Sequence, residues 1–166
     1  MKRTITVILL LIVSFLIHSY TSNIPESSPV ERGQSQPPED ILYDVTSVTD
    51  GDTVMVRING TKERVRLIGI DTPEVDASKG VVECYGAEAS DKTKALLSGA
   101  RVRVETDTTQ GERDTYGRLL GYVFLEDGTN VNQVLLQEGF AKEFTYNKTY
   151  KYQNEFRQAE AEARLE

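Results

Sequence analysis

Between residues 41 and 70 the apolar positions recur every second residue and stop at turn-forming ones. "ILYDVTSV" (41–48) opens the series. "DTVMVRI" (52–58) sets Val54, Val56 and Ile58 against Thr53, Met55 and Arg57, the alternation of a half-buried strand. Asn59-Gly60 then offers two residues that tolerate positive φ, so "KERVRLIGI" (62–70) is predicted to return as the second arm of a hairpin. This third strand carries apolar residues on both faces: Val65, Leu67 and Gly69 on one, Arg66, Ile68 and Ile70 on the other. Both faces are expected to be buried, as in a central strand. Yet a guanidinium, Arg66, lies inside the run, and two carboxylates, Asp71 and Glu74, follow within four residues of its end.

Further along, "EVDASKGVVECYG" (74–86) reads as a long loop. Helical spacing begins in "AEASDKTKALLSG", with Gly99 past its end. "RVRVET" (101–106) and "RLLGYVFL" (118–125) are the fourth and fifth strands, joined by the polar stretch "DTTQGERDTYG". Asn130 is placed to cap a second helix, in which Val131, Val134 and Leu135 share a face and which Gly139 ends. A third helix runs through "YQNEFRQAEAEARLE", with Tyr152, Phe156, Ala159 and Ala163 inward and Glu160–Arg164 as an i,i+4 pair. The predicted class is α+β, mainly β. The order β-β-β-α-β is that of the five-stranded OB-fold barrel, here with three helices.

The first 40 residues do not fit this domain, which is expected to span 41–166. Lys2 and Arg3 precede fourteen uncharged residues, "TITVILLLIVSFLI", the length of a signal-peptide core and short for a membrane span. "HSYTSN" behind it lacks a clean cleavage pattern. Residues 1–22 therefore read as a signal peptide or an N-terminal membrane anchor, the length favouring the first. Residues 23–40 hold four of the five prolines and no aromatic residue, the composition of a flexible tether. The expected location is secreted or at the extracellular surface.

Composition narrows the chemistry. The only cysteine is Cys84, so no internal disulfide forms, and it reads as a packing residue or an unreactive thiol. The only histidine, His18, lies in the leader. Nucleophilic catalysis through a histidine and zinc sites of the usual kind are both excluded. A metal would have to sit on oxygen ligands. Without Lys2 and Arg3 the bases number 17 against 26 acids, a net charge of −9. That argues against broad electrostatic attraction to nucleic acid.

Three clusters remain: Asp50-Gly51-Asp52-Thr53, Arg66 with Asp71-Thr72-Pro73-Glu74, and Asp114-Thr115-Tyr116-Gly117-Arg118. Each alone reads more simply as a turn, a cap or a solvated loop. In combination, "VTDGDTV", "RLIGIDTPE" and "DTYGRLLGYV" resemble the staphylococcal nuclease (thermonuclease) family, in order and separation. "YGAEAS" and "VNQVLLQEGFAK" extend the resemblance over the whole domain from about Tyr43. The resemblance implies a calcium-dependent phosphodiesterase that cuts DNA and RNA, leaving 3′-phosphates and 5′-hydroxyls. It places calcium ligands at Asp52, Asp71 and the carbonyl of Thr72, and catalytic groups at Arg66, Glu74 and Arg118. Tyr116 is assigned to substrate, by contact with a phosphate or stacking on a base, and Lys79 is the one base in the loop after Glu74. The expected partner is single-stranded DNA or RNA, met by a monomer. The family's lysine before "YGR" is Thr115 here, and Tyr146, Tyr150 and Tyr152 are shifted, so which of them faces substrate is open. Arg66 and Asp71 are five residues apart and would point to opposite faces of a regular strand, so a bend is expected at Gly69. The alternatives are a non-catalytic OB-fold module that holds nucleic acid or another ligand at the cell surface, and a structural spacer. Neither needs Asp52, Arg66, Asp71, Glu74 and Arg118 all intact.

Overall fold

A computed structural model describes residues 41–76 and 81–165. The leader, the tether and Lys79 lie outside the described residues. Five strands close into a barrel in the order β1-β2-β3-β8-β7: β1 (Tyr43–Asp50), β2 (Thr53–Ile58), β3 (Thr61–Leu67), β7 (Arg101–Glu105) and β8 (Leu119–Leu125). Asn59 and Gly60 have φ of 50° and 82°, so the β2–β3 hairpin turns as its Asn-Gly pair predicts. β1 slips register twice against β2, between Val45 and Ser47 and between Val48 and Asp50. Such bulges bend the strand enough for its start to pair with β7, which closes the barrel.

Two pieces position the site. β3 runs parallel to β8, with Arg66 paired to Leu120. The loop before β8 is thereby brought beside β3. The second piece is the turn after β3. Gly69 has φ of 79°, and β4 (Ile70–Asp71) leaves at a new angle to pair with β9 (Lys142–Glu143). A Cβ at Gly69 would lie 2.6 Å from the Tyr150 ring and 2.8 Å from Phe156, so only glycine fits under that aromatic pair. Asn132, fully buried, accepts from Val123 N at 3.0 Å and donates to Ile68 O at 2.9 Å. It ties the turn to the barrel wall through groups that burial would otherwise leave unpaired.

The helices are α1 (Gly86–Leu97), α2 (Val131–Gln137) and α3 (Gln153–Ala163). Asn130 caps α2 by accepting from Gln133 N at 3.3 Å. In α3, Phe156 and Ala159 are buried, Tyr152 and Ala163 are half-buried, and Arg164 meets Glu160 at 2.9 Å. The core joins Val54, Val56, Val65, Leu67, Val102 and Tyr122 of the barrel to Leu135, Leu136 and Phe156 of the helices. The stretch expected as one long loop contains a short hairpin, β5 (Val75–Asp76) with β6 (Val81–Val82). Two-residue strands carry too little periodicity to be read from sequence. Cys84 is exposed, which removes its packing role.

Candidate functional site

The bend at Gly69 brings Arg66 and Asp71 to one side of the chain. Arg66 Nη2 lies 3.2 Å from Asp71 Oδ1 and 3.0 Å from Asp52 Oδ2. Its Nη1 donates to Leu67 O at 3.0 Å and Ile70 O at 2.8 Å. One guanidinium therefore ties the turn and draws two carboxylates from separate segments together. Its side chain is only 15% exposed, which holds it in one geometry. These contacts give Arg66 a structural part in the turn and leave it between the two acids.

Asp52 is buried on the loop between β1 and β2. Its Oδ1 accepts from Thr53 Oγ1 at 2.9 Å, and its Oδ2 accepts from Thr72 N at 3.3 Å. Gly51 makes that approach feasible, since a Cβ there would sit 2.6 Å from Thr72 Oγ1. Thr93 of α1 donates to Gly51 O at 2.7 Å and clamps the loop from behind. Thr72 Oγ1 is itself buried without a hydrogen-bond partner among the described residues. Buried hydroxyls are seldom left so, and this one lies against Gly51 on the residue whose N–H meets Asp52. All the donors are oxygens of carboxylate, hydroxyl or carbonyl, the hard set that calcium takes in a loose shell. Among the described residues no three acids gather into a metal cluster, and the two that converge, Asp52 and Asp71, are spanned by Arg66.

Arg118 joins from the loop before β8. Its Nε meets Asp114 Oδ2 at 2.6 Å, and its Nη1 donates to Thr53 Oγ1 at 3.2 Å. A chain of contacts thus runs from Arg118 through Thr53 to Asp52. Asp114 also accepts from the backbone N–H groups of Tyr116 and Arg118, both at 2.9 Å. Burial pushes the Asp114 carboxyl up, but Arg118 and these donors outweigh it and hold it below the usual carboxylate range. Tyr116, 76% exposed, places its ring 5.5 Å from the Arg118 guanidinium.

Glu74 is exposed, and among the described residues its carboxylate touches none of the other candidates. Its backbone is held instead. Glu83 Oε2 accepts from Glu74 N at 3.1 Å, and Glu83 N donates to Glu74 O at 2.9 Å. The Asp50 carboxyl is raised by burial and by the charges of Asp52 and Glu74, against Gly51 N–H and Arg66, which lower it. These acids are within electrostatic reach of one another. Asp50, Thr53 and Asp114 belong to the clusters seen in the sequence but have no role assigned there, and Glu83, Asn132 and Lys142 are supports that the sequence does not single out. Lys142 Nζ meets Asp71 Oδ2 at 3.1 Å from β9, a contact that no local pattern signals.

A cleft of about 370 Å³ opens beside the two arginines, lined by Arg66, Gly69, Tyr116, Arg118, Phe144 and Tyr146 among others. The question of the shifted tyrosines has a geometric answer. Tyr146 is 74% exposed on this cleft. Tyr150 is buried, donating to Glu143 at 2.8 Å and Gly69 O at 3.3 Å, and Tyr152 packs edge-on against Tyr122 in the core.

Several known proteins are similar to this chain. The family described as staphylococcal nuclease homologue matches residues 64–166. The thermonuclease of Staphylococcus hyicus is 38% identical over 162 residues, covering 97% of this chain and 94% of that protein. The thermonuclease of Staphylococcus intermedius is 39% identical over 168 residues, covering 98% and 94%. Endonuclease YncB of Bacillus subtilis is 41% identical over 116 residues, which are 69% of this chain and 54% of that one.

Proposed function

This chain belongs to the staphylococcal nuclease family and is a nuclease, a phosphodiester hydrolase; we propose that it cleaves DNA and RNA in a calcium-dependent reaction run by Asp52, Arg66, Asp71, Thr72, Glu74 and Arg118. The observation that carries the reading is the convergence of Asp52 and Asp71 on Arg66 at 3.0 and 3.2 Å, beside the orphaned hydroxyl of Thr72. A site built only for stability has no reason to gather this much charge around a cleft, since buried ion pairs contribute little net stability.

In this reading Asp52, Asp71 and the Thr72 carbonyl would hold calcium, whose charge when bound would stabilise the negative charge developing on the phosphate. Glu74, on the exposed rim, takes a proton from the attacking water. Arg66 and Arg118 present planar donors to the phosphate oxygens, where contacts strengthen as negative charge develops on them. Water adds to phosphorus, the bond to the 5′-oxygen breaks, and that oxygen leaves as a hydroxyl after gaining a proton. The products are a 3′-phosphate and a 5′-hydroxyl. Tyr116 and Tyr146 flank the cleft where a base would stack, which favours a single-stranded substrate. Lys79 is the basic contact to substrate in this reading.

The leader and tether carry the enzyme out of the cell as a monomer, with residues 1–22 either removed or kept as an anchor. N-terminal sequencing of protein recovered from medium and from membranes tests this part. The chemistry is tested by digesting denatured DNA and RNA with calcium and with chelator, and by identifying the termini. No cleavage in calcium, or 5′-phosphate products, would overturn it.

A further inference from the structure

The bases of this acidic chain are not evenly spread, and their placement deepens the nuclease reading on which this argument rests. We propose that the outer face of the β2–β3 hairpin is a track for the phosphodiester backbone of a long nucleic-acid substrate, formed by Arg57, Lys62 and Arg64 and ending at Arg66 in the site.

The register makes the face explicit. Arg57 pairs with Lys62, Met55 with Arg64, and Thr53 with Arg66. Val54, Val56 and Val65 are fully buried inside the barrel. Side chains alternate along a strand, so Arg57, Lys62, Arg64 and Arg66 all stand on the outward side. Lys62, Arg64 and Arg66 follow one another at about 7 Å, two residues of strand rise. Arg57, Lys62 and Arg64 are exposed, and none forms an ion pair among the described residues. Glu63, between two of them, faces the other way and is taken by Arg113 at 2.8 Å. The acid that pairs directly across from the stripe is Asp44, opposite Arg57, and its other cross-strand neighbour is Arg101.

Like charges directly opposite each other destabilise a sheet. Here Arg57 faces Lys62 in a chain with 26 acids available to separate them. Asp44 offsets Arg57 from the other side, but no acid pairs across from Lys62 or Arg64, and a polymer bearing one negative charge per unit would cover the row. A row of fixed cations on a closed barrel suits such a backbone better than a single phosphate, and the row leads to Arg66. The negative net charge does not oppose this. Screening limits charge effects to about 10 Å at 0.1 M salt, so the local row outweighs acids on the far side.

The test is the triple variant R57Q/K62Q/R64Q, assayed with calcium on a single strand of thirty nucleotides and on a dinucleotide, at 50 and 200 mM salt. Three phosphate contacts add about 2 to the salt slope for single strands. Wild-type kcat/KM on the long strand should therefore fall about 20-fold more across this range than the variant's. Dinucleotide cleavage should match wild type, and Tm should be no lower than wild type, because the Arg57–Lys62 opposition is removed. Single variants should each lower the slope by about 0.7. The control K94Q/R101Q/R164Q, equal in charge change, should keep the wild-type slope. The proposal is overturned by an unchanged slope, by equal loss on the dinucleotide, or by a control that behaves like the variant. It is also overturned if anionic phosphatidylserine vesicles bind wild type but not the variant while long-strand cleavage is equal, which assigns the face to membranes. No cleavage of either substrate by wild type removes the nuclease reading and the track with it.

Discussion

Replacing Arg66 by lysine separates what this side chain does for the fold from what it does for the reaction. Lysine keeps the charge near Asp52 and Asp71 but loses the planar fork. In the native arrangement Nη1 serves Leu67 O and Ile70 O while Nη2 serves both carboxylates. A single ammonium on a shorter reach cannot hold all four. A hydrogen bond from a charged donor is worth about 1.5–3 kcal/mol, and an ammonium has three donors for these four contacts, so losing one costs about 1.5–3 kcal/mol. For a domain of this size that lowers Tm by about 10 °C, out of a total stability of roughly 5–15 kcal/mol. The variant should thus remain folded at 25 °C. The calcium midpoint should change little, because neither carboxylate has been removed. Losing a bidentate donor to a developing oxyanion should then slow single-turnover cleavage by about 10²–10³. Circular dichroism melts and single-turnover cleavage of a labelled oligonucleotide at saturating calcium measure the two effects independently. A variant that melts early yet cuts at the wild-type rate would refute the role given to Arg66 in the reaction.

Three further outcomes follow from named contacts. A calcium chelator should abolish cleavage of DNA and RNA, and magnesium should restore little of it, because its strict octahedral shell suits this donor set poorly; full activity in chelator would end the calcium assignment. Gly51→Ala puts a Cβ 2.6 Å from Thr72 Oγ1, an overlap expected to cost about 1–3 kcal/mol and to displace Thr72 from Asp52, so the calcium midpoint should rise; calorimetric titration showing wild-type affinity would show that Thr72 does not shape the site. Burial pushes the Asp107 carboxyl up, but Lys151 N, both donors of Thr109 and Tyr122 Oη outweigh it and hold it below its ordinary 3.8. A depressed folded pKa gives stability that is complete above about 4 and lost as pH falls through the folded value. Asp107→Asn should therefore lower Tm at pH 7 and flatten its decline from pH 5 to pH 2; an unchanged decline would show that other acids govern acid unfolding.

The sequence by itself determined the local elements and the chemical inventory. Alternation in 53–58, the Asn59-Gly60 turn and the Asn130 cap are set by interactions within a few residues, and each appears where its pattern placed it. Gly69 was legible for a related reason, since Arg66 and Asp71 meet only if the chain bends between them. The histidine-free domain and its oxygen donors likewise came from counting residues. Tertiary structure decided what depends on distant closure. Parallel pairing of β3 with β8 spans more than fifty residues and brings Arg118 to Thr53 and Asp52. Asn132 reaches Ile68 O, Lys142 reaches Asp71, and Tyr146 rather than Tyr150 lines the cleft, with no local signal for any of them. Periodicity reports only which side of an element is buried. Which elements then meet is selected by the closure of the barrel, which buries Val65 and Leu67 of β3, leaves Lys62 and Arg64 on its outer face exposed and sets Arg66 at the rim.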